Sequence, residues 1–261
     1  MITLFRRIRE KLIASGSVTK YLLYAVGEIL LVVVGILIAL QVNNWNEERQ
    51  FRVDAESQLR SLRETLVDEQ DLLLSVRNMQ SFRYHGLQKV LVFAGLDTLK
   101  RPPRSSQVIY EESFIWDKPL PENYSREFVN TVWSWSNRYL RFSADQNIRD
   151  DLERKGILTY LGNEELTQSI RTYYSQAEFR FREDERIEYM NRWDALLLSM
   201  GYISINPESI PDPLELLRDD RELAALMRVI INGAHWRWSG TEVMLPLNQA
   251  LIDQIDKELG I

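Results

Sequence analysis

The twenty-two residues from Tyr21 to Val42, YLLYAVGEILLVVVGILIALQV, hold fourteen Leu, Ile or Val and a single charge, Glu28. As a helix this run is about 33 Å long at roughly 1.5 Å per residue, enough to cross the hydrocarbon of a bilayer. Each of the fourteen favours insertion by about 0.3–0.6 kcal/mol, which sums to roughly 4–8 kcal/mol. One acid at the centre costs about 2.5–3.5 kcal/mol on the same scale. Insertion wins, and residues 21–42 read as a transmembrane helix. A cleaved signal peptide would have a shorter apolar run, about 7–15 residues, ending in a small-x-small site. Leu37-Ile38-Ala39 lacks the first small residue, so an uncleaved signal anchor is expected.

The flanks give an orientation. Arg6, Arg7, Arg9, Lys11 and Lys20 precede the span, whereas residues 41–60 carry only Arg49, Arg52 and Arg60. The positive-inside rule then places the N-terminus in the cytoplasm and the body outside the cytoplasmic (inner) membrane, in the periplasm or extracytoplasmic space. Phe5, Ile8 and Leu12 share one helical face among those cations, the pattern of a short basic helix on an anionic leaflet or, more simply, of a positive tail. Trp45 falls at the outer end of the span, where indole rings favour the interface. Residues 1–40 carry +3, from five Lys/Arg and two Glu, so the rest of this −6 chain carries −9. An acidic body excludes nucleic acid as the expected partner, because phosphate binding needs a basic face. The absence of cysteine excludes disulfides, thiolate metal sites and a Cys nucleophile.

The opening "FRRIREKL…KYLLYAVGEILLVVVGILIALQVNNWNEER" resembles the start of a family of uncharacterised bacterial single-span membrane proteins. Those proteins begin with a basic helix, a G-E-I span and the ending G-I-L-I-A-L-Q-x-N-N-W-N. The stretch "DDLERKGILTYLGNEELTQSIRTYY" is similar to that family's helix–Gly–Leu–Asn–helix segment. The resemblance implies a membrane location and an architecture, and no activity.

Beyond Trp45 the pattern stays helical. Ala55, Leu59, Leu62, Leu66, Leu73, Val76, Leu87, Val90 and Ala94 keep a 3–4 spacing, interrupted by the polar Glu69, Gln80 and Arg83. No Gly or Pro separates this stripe from the span, so one long helix is expected, as a coiled coil or as part of a bundle. The expected fold class is mainly α, with the N-terminal transmembrane helix continuing into a long helix and then an extracytoplasmic helical bundle. The expected segments are a basic cytoplasmic tail over 1–20, the span over 21–42, a stalk over 43–96, a Pro-containing loop over 97–125, and a helical domain packing with the stalk over 126–261. Within the last, "REFVNTVWSWSNRYLRF" admits helix or strand. Ser143 to Gln146 has the form of a capping box, and Gly156 should end the helix that follows. Asn163 with Glu164 and Glu165 should open a helix running on through Met190. Asp212-Pro213 has the form of a cap and first turn, and Gly240 and Pro246 should bend or interrupt the last helix.

Catalytic patterns are missing from the sequence. The only histidines, His85 and His235, lack metalloprotease spacing, and no G-x-S-x-G elbow, P-loop or dinucleotide turn is present. Asp150-Asp151, Asp219-Asp220 and the charged stretch Arg180–Glu188 read as helix starts or solvated faces. No metal and no cofactor is called for, and a non-enzymatic role is expected. Trp133, Trp135, Trp236 and Trp238, with Tyr139 and Trp193, are many aromatics for a helical body; they would either pack a core or line an aromatic groove for a sugar or peptide. In the span, Tyr24, Glu28, Gly35 and Ala39 lie within one side of the helix, and Gly35 and Ala39 form a small-x-x-x-small pair. That face should meet protein, either a second copy or another membrane protein, while the other faces meet the lipid bilayer. Glu28 is an intramembrane partner contact or a proton site. The functional readings are therefore an interaction or scaffold protein of the cell envelope, an extracytoplasmic ligand sensor working through a partner, or a proton-coupled accessory subunit using Glu28.

Overall fold

The structure is a computed structural model that describes residues 18–98, 108–138, 140–182 and 186–261. The basic segment before Val18, with Phe5, Ile8 and Leu12, lies outside the described residues, as do Pro102, Pro103 and Tyr139. Among the described residues there are eight α-helices, one 3-10 turn and no strand. The chain divides into two compact units, residues 1–57 and 58–261.

The first helix, α1, runs unbroken from Val18 to Phe93. In the first unit its apolar side chains are exposed all round: Leu22, Val26, Ile29, Leu30, Val34, Leu37 and Leu40 are uncovered. This segment is long and apolar enough to cross a membrane, and none of its apolar window is buried. The polar register starts at once beyond it, where Asn43 donates to Glu47 one turn on at 2.6 Å.

In the second unit, α1 becomes the axis of the core. Leu59, Leu62, Leu66, Leu73, Val76, Leu87 and Val90 are buried, at the 3–4 spacing of one helix face. Between Met79 and Leu87 nearly every residue is buried, so this part of the helix is surrounded. Gly86 allows the closest approach: a Cβ there would lie 2.8 Å from Val132 Cγ2 on α2, Arg126–Ser136. The strand reading of that region is not realised; Ser125 caps α2, its side chain accepting from the Phe128 N–H.

The described part of the Pro-containing loop is a packed cover. Val108 and Trp116 belong to the core. The Ser81 hydroxyl donates to the Ile109 carbonyl, and Arg77 pairs with Glu111 at 3.1 Å, fastening the loop to α1. The Tyr110 hydroxyl is turned inward onto the Trp116 and Lys118 carbonyls, and burial pushes it up to about 12.

Four helices follow: α3 (Gln146–Arg154), α4 (Ile157–Leu161), α5 (Glu164–Phe181) and α6 (Arg186–Ser199). Gly156 and Gly162 bracket α4 in the left-handed region, with φ of 70° and 63°, where a side chain would be strained. Asn163 opens α5 as expected, accepting from the Leu166 N–H at 3.0 Å. The helix does not run on through Met190. It ends at Phe181, and Arg182 turns extended with φ −51° and ψ 137°. Asp150-Asp151 lies inside α3, not at its start.

After the 3-10 turn Pro207–Ser209 comes α7, Pro213–Asp219, capped by Asp212 with Pro213 in its first turn. The last helix, α8, runs from Arg221 to Leu259, so neither Gly240 nor Pro246 interrupts it. Pro246 is exposed, so the carbonyl it leaves unpaired one turn back faces water. Gly240 is buried because α5 passes close by: a Cβ there would meet the Phe181 ring at 3.2 Å. Met244, Asn248, Leu251 and Ile255 carry the buried face of α8 past the proline.

Candidate functional site

Within the span segment, Glu28, Gly35 and Ala39 fall on one face of α1, within about 40° at roughly 100° per residue. Gly35 and Ala39 are exposed, and a Cβ at Gly35 would meet nothing within 4 Å. Gly86 and Gly240 are small because the chain's own helices press on them; among the described residues nothing presses on Gly35. Tyr24 belongs to α1, and its side chain lies outside the described part. Trp45 is exposed, one turn past the apolar run.

The four tryptophans do not assemble a groove. Trp133 and Trp238 are core residues, and the Trp133 ring packs on Trp193 at 5.4 Å. Trp135 is half-buried against that core, with Phe114 and Arg138 on its ring, and Trp236 is exposed. At helical spacing, adjacent aromatics two residues apart point in different directions, so "WSW" and "WRW" cannot present both rings to one cleft. His85 and His235 flank the Tyr84 ring at 5.2 and 5.7 Å, and His85 Nε2 meets the Val108 carbonyl at 3.1 Å. Among the described residues no group of three or more His, Cys, Asp or Glu is placed to hold a metal ion.

The polar interruptions of the α1 stripe are all interior. Arg83 is 3% exposed; its Nη1 donates to Gln80 Oε1 at 3.0 Å and its Nη2 to the Ser136 carbonyl at 2.6 Å. Ser136 is the last residue of α2, so the guanidinium sits where the helix dipole is negative. Glu69, 6% exposed, accepts from the Asp145 N–H at 2.8 Å and from the Tyr173 hydroxyl. Asn248 on α8 donates to that same hydroxyl at 3.2 Å and to the Leu66 carbonyl at 2.9 Å. Burial raises Glu69 above its ordinary value, against the hydrogen bonds from Tyr173 and Asp145 that favour its charge. Burial likewise raises Tyr173, and the Glu69 carboxylate adds to the effect. These three residues tie α1, α5 and α8 together and hold the start of α3.

No family model, curated protein or solved structure matches this chain.

The capping box expected at Ser143 is displaced by two residues. Asp145 is the N-cap, accepting from the Asn147 N–H at 3.0 Å, and its own N–H is taken by Glu69 from α1. A capping box would draw that second bond from within the helix; here a distant helix supplies it. Tyr173 and Asn248 carried no signal as site residues, although Asn248 shares the buried phase of Met244 and Leu251. The network fastens these helices to one another, and within it the buried Asn248 Oδ1 has no hydrogen-bond partner among the described residues.

Proposed function

We propose that this chain is a single-span protein of the bacterial cell envelope with a non-enzymatic role, binding a membrane partner through its span and presenting its helical body outside the cytoplasm. The observation that carries the reading is Gly35. Its missing side chain answers no contact among the described residues, and it shares a face with Ala39 and Glu28. Small residues let membrane helices approach closely, and an ionisable residue within a span is a candidate contact point. The exposed apolar run supports a membrane location, and the charge difference across it supports an N-terminus in the cytoplasm. The resemblance of the opening to bacterial single-span proteins points the same way.

Single cysteines at Gly35 and Ala39, crosslinked in native membranes, should trap a discrete species, either a dimer of this chain or a complex with a second membrane protein. Cysteines at Val33 or Leu37, on other faces, should not. Uniform crosslinking at all four positions, or none at any, would remove the docking face. Glu28→Gln keeps size and a hydrogen-bond donor, so the crosslink should persist in it if Glu28 is a contact. Loss of function with the crosslink intact would turn the assignment to a proton site.

A further inference from the structure

The face of α1 that carries Glu28, Gly35 and Ala39 does not stop where the apolar run ends. At about 100° per residue, Asn46, Gln50, Val53 and Ser57 fall in the same sector, about 60° wide, and all four are exposed. From Glu28 to Ser57 this stripe is about 44 Å long at roughly 1.5 Å per residue. The turns just past the span are otherwise dense in charge, with Glu47, Glu48, Arg49, Arg52, Asp54 and Glu56. All six fall outside the stripe, at least about 40° beyond its edges. Val53, 63% exposed, is an apolar side chain on the uncharged side of this polar stretch.

An uncharged stripe along a charged helix fits a second helix, and its chemistry says which one. Copies of a single-span protein insert in one orientation, so two of them pack in parallel. A two-fold axis between them sets each residue opposite its own copy. Only side chains that complement themselves fit such an axis. Gly35 and Ala39 meet small residues and let the backbones close. The amides of Asn46 and Gln50 and the hydroxyl of Ser57 both donate and accept, so each can bond to its own copy. Val53 meets Val53, and outside the apolar run no charge in the stripe meets its like. Val32, Ala39, Asn46 and Val53 are spaced by sevens, one seam position of a heptad. A single Asn at such a position specifies a parallel pair in register. We propose that the partner taken by the docking face of α1 is a second copy of this chain, in a parallel two-stranded seam running from the span through Ser57. The proposal rests on the docking face described above and adds its partner and its extent.

The chain has no cysteine of its own, so single cysteines report its neighbours cleanly. Two full-length copies with different tags, expressed together, are oxidised with copper phenanthroline in native membranes. Cysteines at Asn46 and at Val53 should each give a disulfide-linked species of twice the chain mass that carries both tags. Cysteines at Glu47 and Glu48, on other faces of α1, should not. Asn46→Asp sets two like charges on the axis and removes the amide donor. It should lower the yield of the Val53 crosslink about fivefold, the scale of one hydrogen bond. Asn46→Gln should keep most of the yield, and since Asn46 is exposed neither variant disturbs the body. Equal linking at Asn46, Val53, Glu47 and Glu48, or a Val53 crosslink unchanged by Asn46→Asp, overturns the seam. An adduct of one tagged copy with a different protein overturns the second copy as the partner and leaves the docking face standing. Links at Gly35 and Ala39 without any at Asn46 or Val53 likewise overturn the seam and confine the face to the span. No link at any of the four removes the docking face itself.

Discussion

Glu69 is the most consequential single side chain in the body, because its carboxyl group joins α1 to the start of α3 and to α5, with Asn248 of α8 one hydrogen bond further on. Its raised proton affinity has a definite sign. In the folded state burial favours the neutral form, whereas in the unfolded chain the group titrates near its ordinary value of 4.5. Between the two values the folded state binds more protons, so this group's contribution to stability is full below 4.5 and is lost as pH rises through the folded value. Glu69→Gln should therefore flatten the acid side of the stability curve, since an amide keeps an oxygen for the Asp145 N–H and nitrogen hydrogens for the Tyr173 hydroxyl. Glu69→Leu should cost about 1–3 kcal/mol at neutral pH by leaving both donors unpaired. Urea melts from about pH 4, just below the ordinary carboxyl value, up to about pH 8 would read both effects. Gly86 gives a second check by sterics alone. Alanine gains about 1 kcal/mol of helix propensity over glycine, but overpacking against Val132 costs about 1–3 kcal/mol. Gly86→Ala should lower stability by up to about 2 kcal/mol, and adding Val132→Ala should relieve the clash though it opens space nearby. The same melts on Gly35→Ala should show no change in the body.

At the scale of helices, the periodic signals were readable wherever one face was packed and the ends were capped locally. The α1 stripe from Leu59 to Val90 and the caps at Asn163 and Asp212 depend on neighbours within one or two turns, and they stand as the sequence implied. What was hidden depends on partners far along the chain. Ser143 loses the cap to Asp145 because Glu69, 76 residues earlier, takes the Asp145 N–H. Gln80 and Arg83 look like flaws in a seam until the end of α2 is brought against them. Pro246 looks like a stop, and α8 passes it because the proline is exposed while Met244, Asn248 and Leu251 remain packed. If packing is what overrides the proline, its removal should help. Pro246→Ala restores a backbone hydrogen bond on a wet face and should stabilise the body by about 1–3 kcal/mol in urea melts. A lower stability would mean that the proline ring itself is part of the fit of α8 in the body.

For the whole molecule, the contrast between the two units along one continuous helix carries the strongest consequence. Up to Val42 the apolar side chains of α1 find no cover among the described residues, whereas from Leu59 onward the apolar face is shielded by the body. The first surface needs lipid or a partner, and the second needs only its own chain. Contiguous apolar patches of more than a few hundred Å² are rare on soluble monomers, and fourteen exposed Leu, Ile and Val exceed that by a wide margin. The full chain should therefore stay in the membrane pellet through alkaline carbonate and high salt, which strip proteins held by charge alone. A chain starting at Gln58 retains the buried stripe and all of the second unit, so it should remain in the supernatant, melt cooperatively and show the same Glu69-dependent loss of stability with rising pH. Circular dichroism and sedimentation on the two chains side by side separate the outcomes. If the shortened chain also pellets or fails to melt cooperatively, the body relies on the span segment to fold. If the full chain washes off, the apolar run is covered by something other than lipid, and a soluble partner helix takes its place in the argument.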